Sequence, residues 1–153
     1  MAWYPDLSTY KYLGGKNLGS SLPMLNVGWL EQGRAFNTGP VPPEFIIRLR
    51  RLAQQPANLC KGKHICDLCS MPDDARPVDD PSIDRFLEWI KGRSGNGEIH
   101  VRSAAGKVYS APVLIVHYVE VHEFCPPKEF VDAVLGAEPE EDLKQQQGSR
   151  GAV

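Results

Sequence analysis

The chain has 153 residues, a formal net charge of −2, 42% apolar and 24% charged residues. That length can bury a core without disulfide staples, and the composition is that of an ordinary globular domain. The weak negative charge argues against a polyanion-binding surface, so no nucleic-acid partner is expected. The opening MAWYPDLSTY has neither a basic nor an apolar leader segment. The uncharged run VYSAPVLIVHYV, 108–119, is too short to span a bilayer as a helix. The expectation is a cytoplasmic protein that does not engage a membrane.

In chain order, LGGKNLGSS (13–21) invites a phosphate-loop reading. Lys16 is followed by Asn17 rather than Ser or Thr, and no apolar strand precedes it, so a plain loop is expected. MLNVGWL (24–30) reads as a short strand or buried turn around Trp29. PPEFIIRLRRLAQ (42–54) reads as a helix with proline entry and a face of Phe45, Ile46, Leu49 and Leu52. Arg48, Arg50 and Arg51 then fall on its solvated side. SMPDDARPVDDP (70–81) is acidic and proline-rich, a loop or linker.

DPSIDRFLEWIKG (80–92) reads as a second helix, capped by Ser82 or Asp80 and stopped at Gly92. Its expected core face is Ile83, Phe86, Leu87 and Ile90. GEIHVRSAAGKVYS (97–110) has the alternation of a β-hairpin turning at Ala105-Gly106, with His100 facing solvent. APVLIVHYVEVHEF (111–124) fits both strand and helix; its spacing favours a helix capped by Ser110. PPKEFVDAVLG (126–136) reads as a helix with Phe130, Val131, Val134 and Leu135 inward. The sum is a small single α+β domain over 1–136, with a short hairpin or sheet, three to four helices and a zinc knuckle. Residues 137–153 form a polar tail, expected to be disordered or frayed.

The chemistry concentrates in GKHICDLC, 62–69. Cys66-x2-Cys69 lets two thiolates from one turn meet one tetrahedral ion. A redox pair would sit at the start of a helix, but here a Pro/Asp-rich loop follows. The packing alternative is that the cysteines are small buried hydrophobes. His117-x4-His122 has the gap of the second half of a Cys2His2 site. On a regular helix those two positions lie about 140° apart, so both reach one ion only where the helix tightens or frays. His64 is the substitute, giving His64-x-Cys66-x2-Cys69 from one turn. The candidate metal ligands are therefore Cys66, Cys69, His117, His122 and His64, with the histidines that complete the shell left open. Cys60, His100 and Cys125 are weaker candidates.

The chain resembles an uncharacterised family of small bacterial proteins, frequent in actinobacteria, that has no assigned activity. The resemblance lies in YPDLSTYKY (4–12), LNVGWLEQGRAFNTGPVP (25–42), GKHICDLC (62–69), NGEIHV (96–101) and VYSAPVLIVHYVEVHEFCPPKEFVDAVL (108–135). It implies a bacterial source. The family's His-x-Cys-x2-Cys falls on His64, Cys66 and Cys69, and its later histidines on His117 and His122. It speaks against Cys60, His100 and Cys125.

A closed four-ligand site is structural, whereas a catalytic site keeps one position for water. The His-x-Glu motif of zinc deaminases and the His-Glu-x2-His of zinc peptidases are both absent. Glu98 and Glu120 could act as bases only if folding brings them to the metal. The expected role is a structural-zinc protein-interaction module, an immunity or accessory factor, with Trp3, Tyr4, Tyr10, Tyr12 and Trp29 as candidate interface aromatics and a core role equally open for Trp29. The competing reading is a zinc hydrolase or deaminase-like enzyme with an open metal position.

Overall fold

The computed structural model describes residues 3–11 and 23–137. The glycine-rich stretch 13–21, Tyr12 and the tail from residue 138 lie outside the described residues. The elements are β1 (Met24–Asn26), α1 (Pro43–Ala53), β2 (His64–Ile65), a 3-10 turn (Asp73–Ala75), α2 (Asp80–Ile90), β3 (Ser94–Gly95), β4 (Glu98–Arg102), β5 (Val108–Pro112), α3 (Ile115–Val121) and α4 (Lys128–Gly136). This is the α+β class expected.

The main sheet has the order β1-β5-β4. β4 and β5 form the antiparallel hairpin, with His100 opposite Ser110, and β1 joins β5 in parallel. Alternation along the strands separates two faces. Ile99, Val101, Tyr109 and Ala111 enter the main core with Phe45 and Leu49 of α1, Ile115, Tyr118 and Val119 of α3, and Phe130 and Val134 of α4. Phe130 meets Phe45 and Tyr109 edge-on, at ring-centroid distances of 6.1 and 5.9 Å. On the opposite face Met24 and Val108 pack with Tyr10 and Trp29 in a second, smaller core.

Trp29 is buried, as the reading of 24–30 expects, and Tyr10, one of the aromatics expected at an interface, is buried beside it. Tyr4 packs edge-on against Trp29, and the Arg34 guanidinium lies over the Trp3 ring. Tyr4, Tyr10 and Trp29 thus cover that face of the sheet.

Helix α1 begins with Pro43 in its first turn, and α4 begins just after Pro127. Within the arginine cluster, Arg48 reaches the end of α4. Its guanidinium donates to the Leu135 carbonyl at 2.6 Å and the Ala137 carbonyl at 3.2 Å. A cation there satisfies orphan carbonyls and complements the helix dipole. Arg48→Ala is expected to cost about 1 kcal/mol in denaturant unfolding; an unchanged midpoint would deny Arg48 this role.

Three expectations need correction. Residues 111–124 do not form one helix: Ala111 and Pro112 extend β5 opposite Ile99 and Glu98, and α3 starts only at Ile115. Cross-strand pairing outweighs the helical spacing at those two positions. Ser110, expected as the cap, instead donates its hydroxyl to Glu98 at 3.1 Å. The cap of α2 is Asp79, which accepts from the Ser82 amide while the Ser82 hydroxyl accepts from the Asp79 amide. The expected core face of α2 is also wrong: Ile83 and Leu87 are exposed, and no apolar residue of α2 joins the main core.

Candidate metal centre

The knuckle is set by pairing with a strand distant in sequence. β2 pairs antiparallel with β3, His64 opposite Gly95 and Ile65 opposite Ser94. The Cys66 amide extends this contact by donating to the Arg93 carbonyl at 2.7 Å. The chain then turns through 67–69, which brings the backbone of Leu68 and Cys69 up to the Cys66 sulfur. Amides aimed at a sulfur favour its thiolate.

The two histidines come from the end of α3. His117 is buried within the helix, whereas His122 is its C-terminal cap, and Glu123 follows with φ +56°. The helix therefore stops where the second ring is needed. That ending removes the angular conflict of an i, i+5 pair on a continuous helix. The rings stand at 75° with centroids 5.1 Å apart.

The ligand atoms of Cys66, Cys69, His117 and His122 all lie within 4.8 Å of one another. Cys69 Sγ is 3.2 Å from His117 Nε2 and 3.4 Å from His122 Nε2, and Cys66 Sγ is 3.4 Å from His122 Nε2. A tetrahedral ion with zinc–sulfur and zinc–nitrogen bonds of about 2.3 and 2.0 Å separates its S and N ligands by about 3.5 Å. The donor set thus fits a small tetrahedral ion.

The surroundings favour ligation too. The His117 ring lies beside the Gly92 backbone, a neighbour of the kind that orients a ligand ring. Burial, then the neighbouring His122 and Arg93, push the His117 pKa down. Burial does the same for His122. Both rings are thereby favoured as neutral imidazoles, the ligating form. Burial pushes the Cys66 thiol up to about 11, with the nearby Cys69 adding to the rise. An ion must therefore displace thiol protons to bind. Apparent zinc affinity, measured by chelator competition, is expected to climb between pH 6 and 8, by up to about tenfold per pH unit for each proton displaced. A flat profile would mean that thiolates are not the ligands.

His64 is half-buried on β2 and is not among the four converging residues. Cys60 and Cys125 are also outside the group; Cys60 lies beside the Asn58 carbonyl and Cys125 beside Pro40 and Pro126. Glu120, a candidate base, is ion-paired with Arg50. Glu98, the other, lies 2% exposed in a polar cluster. Its carboxylate accepts from Tyr10 Oη at 2.8 Å, Asn58 Nδ2 at 3.0 Å and Ser110 Oγ at 3.1 Å, and lies 2.7 Å from His100 Nε2. His100 is half-buried there rather than facing solvent as expected. Its strand alternation was legible, but the cover that the N-terminal segment places over that face was not.

The arrangement is a small α+β domain with a Cys2His2 cluster joining a knuckle to a helix end. Over residues 2–135 the chain matches the family described as "Domain of unknown function (DUF7919)", and it belongs to that family. No curated protein and no solved structure matches it.

Proposed function

We propose that Cys66, Cys69, His117 and His122 hold one Zn2+ in a closed tetrahedral shell, and that the chain is a zinc-stapled module working by binding another protein. The convergence of these four ligand atoms within 4.8 Å carries the reading. Four protein ligands fill a tetrahedral shell, which is the structural rather than the catalytic pattern. The removal of Glu98 and Glu120 into other contacts favours the same side. His64 belongs to the turn that presents the cysteines and is left out of the shell. The reading also takes the chain as a bacterial cytoplasmic protein. Its source rests on the resemblance above, and its compartment on four free cysteines, which suit a reducing environment. Among the described residues no helix is long and apolar enough to cross a membrane.

Cobalt substitution tests the shell. Co2+ in a closed S2N2 site gives the intense visible bands of tetrahedral coordination with sulfur charge transfer, and these bands stay unchanged when azide is added. Bands that shift with azide would reveal an open position and favour the hydrolase reading.

A further inference from the structure

The segment between the knuckle and β3 is an arm whose helix contributes no apolar residue to either core. α2 carries Ile83, Phe86, Leu87, Trp89 and Ile90, yet its only buried residue is Ser82. Ile83 is 42% and Leu87 50% exposed, and Val78, just ahead of the helix, is 85% exposed. An amphipathic helix is normally stabilised by burying its apolar face. Here the 3-10 turn Asp73–Ala75 is the element that packs most against it. Local devices hold the helix instead: the Asp79–Ser82 capping box and the Arg85 bond to the Asp74 carbonyl at 2.6 Å.

The charges beside this face have one sign. Ile83 and Leu87 form one i, i+4 ridge, and Asp80, Asp84 and Glu88 form the ridge next to it. Arg85 and Lys91 are engaged by Asp74 and Glu88, which leaves Asp80 and Asp84 without an ion pair among the described residues. A second copy of α2 laid antiparallel would set acidic ridge against acidic ridge. A helix with a lysine- or arginine-rich ridge beside an apolar one complements both features.

We infer that α2 is the docking element of the module, and that it takes a basic amphipathic helix of a partner protein. This rests on the interaction-module reading and deepens it. The arm is rooted at the metal centre, because its first residue follows Cys69 and its last adjoins Arg93, whose carbonyl accepts from the Cys66 amide at 2.7 Å. The zinc would therefore hold the arm's base.

The test uses the isotope-labelled full chain as purified, with its zinc content measured. The probe is a synthetic helical peptide of about 14 residues, with leucines at i, i+3, i+4 and i+7 and lysines elsewhere. A matched peptide with glutamates for lysines is the control. Amide shifts confined to 78–91 with the lysine peptide, and none with the glutamate peptide, are expected. Ile83→Asn and Leu87→Asn, both exposed, should each weaken binding at least about fivefold, as expected for a lost apolar anchor. Ile47→Asn, on the exposed side of α1, should leave it unchanged. Shifts elsewhere, equal binding of both peptides, or no binding would overturn the docking proposal. Shifts at 78–91 that grow with protein concentration alone would assign the face to a second copy and also overturn it. A chain that binds no zinc, whatever the peptide does, removes the staple reading separately.

Discussion

Cys66→Ser is expected to yield a chain that purifies without zinc and unfolds at a much lower temperature than the parent. Cys66 is 1% exposed and belongs to the main core, so its loss acts where the knuckle, α3 and the sheet meet. Structural zinc is worth about 10–16 kcal/mol in zinc-finger peptides, where metal binding and folding are the same event. This domain also buries Phe45, Tyr109, Tyr118, Phe124 and Phe130 without help from an ion. Part of the fold should therefore survive, and the expected loss is smaller, on the order of 5 kcal/mol. At about 3 °C per kcal/mol for a domain of this size, the melting temperature falls by roughly 15 °C. His122→Ala should lose the metal as well, with a milder drop, because His122 is half-buried at a helix end. Wild-type melting behaviour in Cys66→Ser would contradict a stapling role.

The second large effect is expected at Glu98, far from the metal in function. Glu98→Ala removes the one acceptor shared by Tyr10, Asn58 and Ser110 and strands His100 beside it. A buried polar group left unpaired costs about 1–3 kcal/mol. Several stranded together should cost about 3–5 kcal/mol in denaturant unfolding, even though no metal is lost. The pH dependence follows from the same contacts. Burial raises the carboxyl pKa, but the bonds from His100, Tyr10, Asn58 and Ser110 outweigh it, leaving the carboxyl below its ordinary 4.5. A depressed pKa contributes stability that is fully present above the unfolded value and is lost as pH falls through the folded one. The parent should therefore lose stability below about pH 4.5, and Glu98→Gln should flatten that acid limb. A cost under about 1 kcal/mol for Glu98→Ala would show that the cluster relaxes or fills with water.

The elements that could be read from the sequence are those in which local pattern and tertiary packing agree. α1 and α4 have proline entries and apolar stripes that do pack, and the β4–β5 hairpin alternates as a two-faced sheet should. Residues 111–124 were not legible because two periodicities overlap there and the pairing of Ala111 with Ile99, distant in sequence, decides between them. α2 was misread for the opposite reason. Its stripe is real, but a stripe says that a face is apolar and not what covers it.

The candidate centre was legible as residue types: Cys66, Cys69, His117 and His122 stand out by spacing. The convergence of His122, and not His64, on the cysteines was not. It depends on α3 ending at Val121 and on the positive φ of Glu123, which no cap residue advertises. The Glu98 cluster was equally hidden, since its partners come from four separate stretches of chain. Only the Glu98-x-His100 alternation and the opposing Ser110 gave any sign of it.

Metal content bears most directly on the central claim. Protein purified without added metal should show one zinc per chain by native mass spectrometry and elemental analysis. Cys66→Ser should appear only at its own zinc-free mass. A parent chain that carries no metal, and takes up none from stoichiometric zinc at neutral pH, would contradict the zinc-stapled account.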